Sequence, residues 1–149
     1  MSHTYASVLV HCVFSSKQRR PLLTPEVRER LWPFIGGIAR ANGFRAIAIG
    51  GYVDHAHALL ALPTTIPVAK ALQLLKAGSS KFVHEAMHIR DFQWQEGYGA
   101  FTIAASAVEP TVAYIRDQEE HHRTKTFAEE FVAFLKKNGV AYDERYVFG

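Results

Sequence analysis

The stretch Phe44–Pro63, FRAIAIGGYVDHAHALLALP, contains two apolar runs separated by a short turn. Each run has the length of a strand, and the segment VDH between them is typical of a hairpin turn, so two antiparallel strands are predicted. Two histidines, His55 and His57, stand one residue apart at the start of the second strand. Because side chains alternate along a strand, they point to one face of the sheet and Ala56 points to the other.

Further strands and helices are predicted on both sides of this hairpin. A valine-rich apolar run at Ala6–Ser16 predicts a first strand, and residues 97–106, GYGAFTIAAS, predict a fourth. Helices are predicted where apolar residues recur at helical spacing between capping residues, prolines and glycines. They extend from Pro25 to the terminating Gly43 with a bend at Pro33, from Pro67 to about Arg90, from Glu109 to about Arg123 and from Phe127 to about Asn138.

The order of the elements predicts the fold class. A strand, helix, strand, strand, helix and strand are followed by two further helices. This order is typical of an α+β fold with a ferredoxin-like, four-stranded antiparallel sheet, helices on one face and a C-terminal helical appendage. The length of 149 residues and a hydrophobic content of 48% fit a single globular domain that spans residues 1–149.

Composition limits the possible partners. The formal net charge of +3 permits an anionic partner without requiring one. Cys12 is the only cysteine, so an intrachain disulfide is excluded and a reducing cytoplasm is the expected location. No apolar run approaches the length of a membrane span, so no membrane partner is expected.

Two pairs of residues carry the candidate chemistry. His55 and His57 are close enough on one face to share a metal ion, whereas polar residues on the solvent side of a half-covered sheet are the plainer alternative. Tyr114 and Gln118 are four residues apart and therefore adjacent on one helical face. A tyrosine beside a divalent ion can attack a phosphodiester, whereas a tyrosine that only packs in the core is the plainer alternative.

Five segments, in this order and at these separations, resemble the single-tyrosine HUH transposases: HCVFSSKQR, DHAHALLALP, LKAGSSKF, WQEGYGAF and YIRDQEEHHR. These enzymes belong to small insertion sequences that move as single-stranded DNA, and the group includes relatives associated with repetitive extragenic palindromes. The resemblance implies that His55 and His57 bind a divalent metal and that Gln118 is a third ligand. It also implies that Tyr114 becomes covalently joined to a DNA 5′ phosphate.

The activity implied by the resemblance is metal-dependent cleavage and rejoining of hairpin-associated single-stranded DNA by transesterification. Oxygen ligation by Gln118 and by a substrate phosphate suits Mg²⁺ or Mn²⁺. The resembling transposases are dimers in which the tyrosine helix completes the site of the partner. A homodimer with composite sites is therefore expected, with the sheet leaving one face open for such docking.

Several residues are candidate DNA contacts. Basic side chains could follow the phosphate backbone and aromatic side chains could stack on unpaired bases, whereas solvated lysines and arginines and aromatic packing at the core edge are the plainer alternatives. The candidates are Lys17, Arg19, Arg20, Lys70, Lys81, Trp94 and Tyr98.

Four further polar residues lie near the candidate site in the sequence. His121 and His122 follow two glutamates and are interpreted as a solvated helix end outside the site. His11, on the first strand, is either a partner of the site histidines or a structural residue. Asp54 is expected to end the hairpin turn.

Two other functions are considered. A non-catalytic nucleic-acid-binding protein with the same fold would carry aromatic residues on its exposed sheet face, where this chain has His55 and His57. A small-molecule metal hydrolase would need a nearby carboxylate base and a third nitrogen ligand, which the sequence does not indicate.

Overall fold

One antiparallel sheet of four strands organises the computed structural model, which describes residues 3–147. The strands are β1 (Leu9–Ser15), β2 (Arg45–Gly51), β3 (His55–Ala61) and β4 (Gly99–Thr102). Their order across the sheet is β2-β3-β1-β4, and every neighbouring pair is antiparallel. The predicted hairpin therefore forms, and the predicted fold class is confirmed.

Five α-helices lie in the described residues: α1 (Pro25–Ala41), α2 (Val68–Ala86), α3 (Val108–Arg116), α4 (Gln118–His121) and α5 (Phe127–Lys137). The side chain of Thr24 accepts a hydrogen bond from the backbone N–H of Val27 and so caps α1. Thr126 and Glu129 form a reciprocal capping box at the start of α5.

Some element boundaries differ from the sequence prediction. The single helix expected from Glu109 to Arg123 is divided at Asp117, where the backbone leaves the helical region with φ −100° and ψ 24°. The fourth strand is much shorter than predicted, and α2 ends at Ala86 rather than near Arg90. The last two shifts lie at element ends, where local sequence signals are weakest.

Helices α1 and α2 cover one face of the sheet. The side chains of β1 and β3 that point to this face form the main core with them, including Cys12, Phe14 and Ala56. Cys12 is a free, buried cysteine, and burial raises the pKa of its thiol to about 12. No helix in residues 3–147 is long and apolar enough to cross a membrane.

The opposite face is not open, contrary to expectation. The C-terminal helices lie on it and form two smaller apolar clusters with the sheet: Ile115 of α3 packs on Ala48 and Leu59, and α5 packs on Val13 and Phe101. The side chains of β3 that point to this face, including both histidines of the hairpin, are consequently enclosed.

Candidate active site

One row of residues across the sheet positions the site. In the register, His57 pairs with Gly50 of β2 on one side and with Val13 of β1 on the other, and Val13 pairs in turn with Gly99 of β4. In this row, Gly50 lies one strand from His57 and Gly99 lies two strands away on the other side, and neither glycine has a side chain.

These glycines let two helices approach the sheet closely. A Cβ atom on Gly50 would clash with the backbone carbonyl oxygen of Ile115 in α3, and a Cβ atom on Gly99 would lie 2.8 Å from the ring of Phe131 in α5. Helices α3 and α5 therefore converge above His57 from both sides. This close approach brings together residues that are far apart in the sequence.

His55 and His57 are completely buried, so the interpretation of them as solvent-facing polar residues is wrong. Nδ1 of His55 lies 2.8 Å from a carboxylate oxygen of Asp54, which therefore does more than end the turn. Nδ1 of His57 lies 2.8 Å from Nε2 of His11, so His11 is a direct partner of the site. Each ring is thus held on one side and presents Nε2 to the space beneath the helices.

Gln118 reaches the same space from α4. Its amide N–H donates to the carbonyl oxygen of Tyr114, and its Oε1 lies 3.0 Å from Nε2 of His55. Gln118 is buried, as the predicted role requires. The interruption of the helix at Asp117 places it on a different helix from Tyr114.

Glu130 of α5 is the residue that sequence reasoning missed. Its carboxylate is 2% exposed, and one oxygen lies 3.0 Å from Nε2 of His57. The other oxygen accepts a hydrogen bond from the hydroxyl of Tyr114 and lies 3.2 Å from Nε2 of His121. Glu130 therefore joins the histidines of the sheet to the tyrosine of α3.

His121 and His122 belong to the site, which corrects the prediction that they form a solvated helix end. His122 donates from Nδ1 to the carbonyl oxygen of Lys125 and places Nε2 2.9 Å from Oε1 of Gln118. Residues 118 and 122 are four apart, so the single turn of α4 and the residue that follows it place both side chains on the same side. His121 turns instead toward the hydroxyl of Tyr114, at 3.2 Å.

The charges of the site are strongly coupled. Burial opposes ionisation of Glu130, but the hydrogen bonds from His122 and His57 outweigh it and hold the pKa of this carboxyl well below its usual range. Burial also opposes the charge on His122, yet Glu130 outweighs it and raises its pKa. Burial lowers the pKa of His57. Burial also lowers the pKa of His11, and repulsion from the neighbouring His57 lowers it further, to about 3.

The donor atoms converge in a way that suits a metal ion. His55 and His122 each place Nδ1 against an outer acceptor, and Nε2 of each ring faces oxygens of Gln118 and Glu130; a neutral ring that donates from Nδ1 has a bare Nε2. Lone pairs facing one another repel unless a proton or a cation lies between them. The separations of 2.9–3.5 Å match the spacing of about 3 Å between adjacent ligands bound at about 2.1 Å. The cluster of His55, His122 and Glu130 can therefore hold a metal.

Tyr114 faces this cluster from a cleft of about 400 Å³ between α3 and α5. Its ring centre lies 5.7 Å from that of His57. Burial and the adjacent carboxylate of Glu130 raise the pKa of the phenol, so the hydroxyl retains its proton in the free protein. The arrangement places a protonated phenol, a carboxylate that accepts its hydrogen bond and a cluster of metal-binding side chains together within one chain.

The structure separates the predicted DNA contacts from this cluster. Trp94 is 8% exposed and packs edge-on against Phe14 at 4.7 Å, so it is a core residue and not a stacking platform. Tyr98, in contrast, is 37% exposed. Arg20 pairs with Asp91 at 2.8 Å.

The remaining predicted DNA contacts are basic residues at the surface. Lys17 and Arg19 lie in a short 3-10 turn after β1, and Lys70 and Lys81 lie on α2.

The family described as IS200-like transposases matches residues 4–118 of the chain. The chain belongs to this family. The transposase family predicted from the sequence motifs is thus confirmed, and with it a role in DNA transposition. The match ends at Gln118, so α5 and Glu130 lie beyond the matched region.

Two solved structures have similar folds. One is a protein from Deinococcus radiodurans R1 that was classed as a transposase, with 22% identity, a TM-score of 0.66, and coverage of 79% of this chain and 95% of that one. Another is a REP-associated tyrosine transposase bound to a REP hairpin, with 18% identity, a TM-score of 0.60, and coverage of 82% and 73% respectively. No curated protein matches the sequence.

Proposed function

We propose that this transposase cleaves and rejoins single-stranded DNA by transesterification, with Tyr114 as the nucleophile. The observation that carries the proposal is the position of the Tyr114 hydroxyl, which contacts the carboxylate of Glu130 at the edge of the buried donor cluster. A tyrosine that only packs in the core would need neither the neighbouring carboxylate nor a cleft that opens on its hydroxyl.

In the proposed reaction, the phenolic oxygen of Tyr114 attacks the scissile phosphorus. The new bond joins this oxygen to phosphorus, and the bond from phosphorus to the 3′ oxygen breaks. The phenol gives up its proton, and the departing 3′ oxygen takes one up. Glu130 accepts the hydrogen bond of the phenol and is positioned to receive that proton. The phosphotyrosine ester retains the energy of the broken bond, so a later 3′ hydroxyl can reverse the reaction and join strands.

His55, His57 and Gln118 would hold a divalent metal, together with His122 and Glu130. When bound, Mg²⁺ or Mn²⁺ would neutralise charge on the scissile phosphate and orient it. The mixture of imidazole nitrogens and oxygens suits Mn²⁺ better than Mg²⁺, which prefers oxygen ligands. His11 and Asp54 would keep the two histidines of the sheet in the required orientation.

The proposed substrate is single-stranded DNA that carries a hairpin. Support comes from the structural relative that was bound to a REP hairpin and from the exposed basic residues at Lys17, Lys70 and Lys81. Contacts of this kind make affinity depend on salt concentration.

A homodimer is the proposed assembly, because strand exchange needs two DNA ends held together. The tyrosine does not need to cross between subunits, however. Tyr114 already contacts Glu130 and lies beside His57 of its own chain, so each protomer contains a full set of reacting groups.

Tyr114→Phe tests the proposed nucleophile. The substitution removes only the hydroxyl, so we expect no covalent protein–DNA adduct on a denaturing gel, with nearly unchanged affinity for a tailed DNA hairpin. Tyr5→Phe, at a 91% exposed position, is the matched control and should form the adduct normally. A normal adduct yield from Tyr114→Phe would contradict the assignment, and hairpin binding without any adduct from the unmodified protein would favour a non-catalytic DNA-binding role.

A further inference from the structure

A second cavity lies on the other face of the sheet. It has a volume of about 480 Å³ and is formed between α2 and residues 93–98, the segment that precedes β4. Its lining includes Gln73, Lys76, Gln93, Gln95, Glu96 and Tyr98. The size is ordinary for a pocket that binds a small organic group.

Lys76 holds the outer wall of this cavity in place. Its ammonium group donates to the carbonyl oxygens of Gln95 at 2.8 Å and Gly97 at 2.6 Å, and it lies 5.7 Å from the centre of the Tyr98 ring. The side chain of Gln95 accepts a hydrogen bond from the backbone N–H of Ser15 in β1. The wall is therefore hydrogen-bonded to both α2 and β1, so ligand binding loses little conformational entropy in ordering it.

The chemistry of the lining suits a nucleobase. Tyr98 presents an exposed aromatic ring, on which any base can stack. Within residues 3–147, the side-chain amide of Gln93 and the hydroxyl of Tyr98 have no hydrogen-bond partner, and Gln73 has only a 3.4 Å contact from Lys70. Amide side chains both donate and accept, as the edge of an unpaired base requires.

Positive charge lies on two sides of the cavity. Lys70 and Lys81 are exposed on α2 directly beside the residues that line it. Gln93 also lines a neighbouring cavity, together with Lys17 and with Arg20, which is paired with Asp91. A base in the pocket would place its neighbouring phosphates near these cations.

The cavity and the donor cluster share one end of the sheet. Ser15 pairs with His55 in the register, and on its other side its carbonyl oxygen accepts from the backbone N–H of Gln95 at 3.0 Å. Gln95 and His55 are thus two strand spacings apart, or about 10 Å. A DNA strand that passes around this end can reach the cavity on one face and Tyr114 on the other.

We propose that one unpaired nucleobase of the DNA substrate binds in this cavity, stacked on Tyr98 and hydrogen-bonded by Gln73 and Gln93. The inference rests on the proposed function for the identity of the substrate. It adds a base-binding pocket that is separate from the reacting groups and that fixes which phosphate reaches Tyr114.

Abasic scanning of the DNA tests this pocket. Tyr114→Phe protein, which cannot form the adduct, is titrated by fluorescence anisotropy with a tailed hairpin in which one tail base at a time is removed. We expect one position at which loss of the base weakens binding by about 5- to 100-fold. Two variants alter the cavity: Ala77→Leu fills it from an exposed position on α2, and Tyr98→Ala removes its exposed ring. In both variants, removal of that base should weaken DNA binding little further. Ala41→Leu, exposed on α1 outside the cavity, should retain the full dependence.

The outcomes separate the pocket from the proposed function. A profile in which every abasic position binds alike would overturn the pocket, and so would a sensitive position that Ala77→Leu and Tyr98→Ala leave unchanged. Free deoxynucleotides are also tested as competitors at about 1 mM, a concentration that matches weak binding of single nucleotides. If they compete and no tail position is sensitive, the cavity is assigned to free nucleotides and the proposal is overturned. Absence of hairpin binding altogether would overturn the proposed function as well.

Discussion

Gly50→Ala tests whether the sheet positions the nucleophile. The substitution adds one methyl group to β2, beside His57 in the register. The new Cβ atom would clash with the carbonyl oxygen of Ile115 and lie 3.0 Å from Cγ2 of the same residue. Because the oxygen belongs to the backbone, a change of rotamer cannot relieve the clash. Helix α3 must therefore retreat from the sheet by on the order of 1 Å, and Tyr114 moves with it.

Two effects of different size are expected from this retreat. A displacement of about 1 Å at a reacting group can cost on the order of 100-fold in rate, so adduct formation should slow by about that factor. Overpacking of the interface should lower the free energy of unfolding by about 1–3 kcal/mol. The affinity for hairpin DNA should change little, because the proposed DNA contacts at Lys70, Lys81 and Tyr98 lie on the other face of the sheet.

The assay is the single-turnover rate of adduct formation, measured beside urea denaturation of the same protein. Gly36→Ala is the matched control, because its added Cβ atom would meet nothing closer than 3.8 Å on α1. Gly36→Ala should keep the wild-type rate. If Gly50→Ala kept both the wild-type rate and the wild-type stability, the reasoning that α3 is seated on the glycine would be refuted.

Three further predictions concern the donor cluster. Glu130→Ala leaves His57 and Tyr114 without a buried carboxylate partner, so the free energy of unfolding measured with urea in chelator should fall by about 3–5 kcal/mol; a change below about 0.5 kcal/mol would contradict the burial of Glu130. His57→Ala should remove most Mg²⁺- or Mn²⁺-dependent cleavage, as excess chelator should for the unmodified protein, and full cleavage in chelator would exclude the metal mechanism. A mixture of inactive His57→Ala and Tyr114→Phe proteins should stay inactive under conditions of subunit exchange, because Tyr114 lies at the cluster of its own chain; recovered cleavage would indicate composite sites.

The sequence predicted the part of the site that depends on local periodicity. Alternation along β3 places His55 and His57 on one face, and the four-residue spacing brings Tyr114 and Gln118 together. Both patterns survive in the structure because burial of the adjacent apolar residues fixes the phase of each element. The division at Asp117 was not predictable from this spacing, which is compatible with one continuous helix.

Glu130 was missed because it lies 73 residues from His57. Two adjacent acids lie in the first turn of α5. The spacing from Thr126 identifies Glu129 as a capping residue, whereas only the tertiary structure shows that Glu130 is buried. One signal was nevertheless present in the sequence. Glu130 shares helical spacing with Phe127, Phe131 and Phe134, so it interrupts the apolar stripe of an amphipathic helix. A carboxylate in such a position needs a partner beneath the helix.

Trp94 shows the limit of composition as a guide. An aromatic residue among glycines and glutamines is compatible with a base-stacking surface or with core packing. Its long-range contacts decide between them: the indole N–H donates to Ser79 at 2.9 Å, and the ring packs edge-on against Phe14. None of these partners is adjacent in the sequence, so local patterns could not identify them.

Glu130 lies outside residues 4–118, the region that the family matches. The region shared with the family contains the sheet, the paired histidines, the tyrosine and Gln118, whereas the buried carboxylate comes from the helix that follows. Substitution of Glu130 in that helix would change the proposed ligand set and the partner of the phenol, while every residue of the matched region stays the same. The metal preference and the reactivity of the proposed nucleophile in this chain can therefore be altered through its C-terminal helix alone.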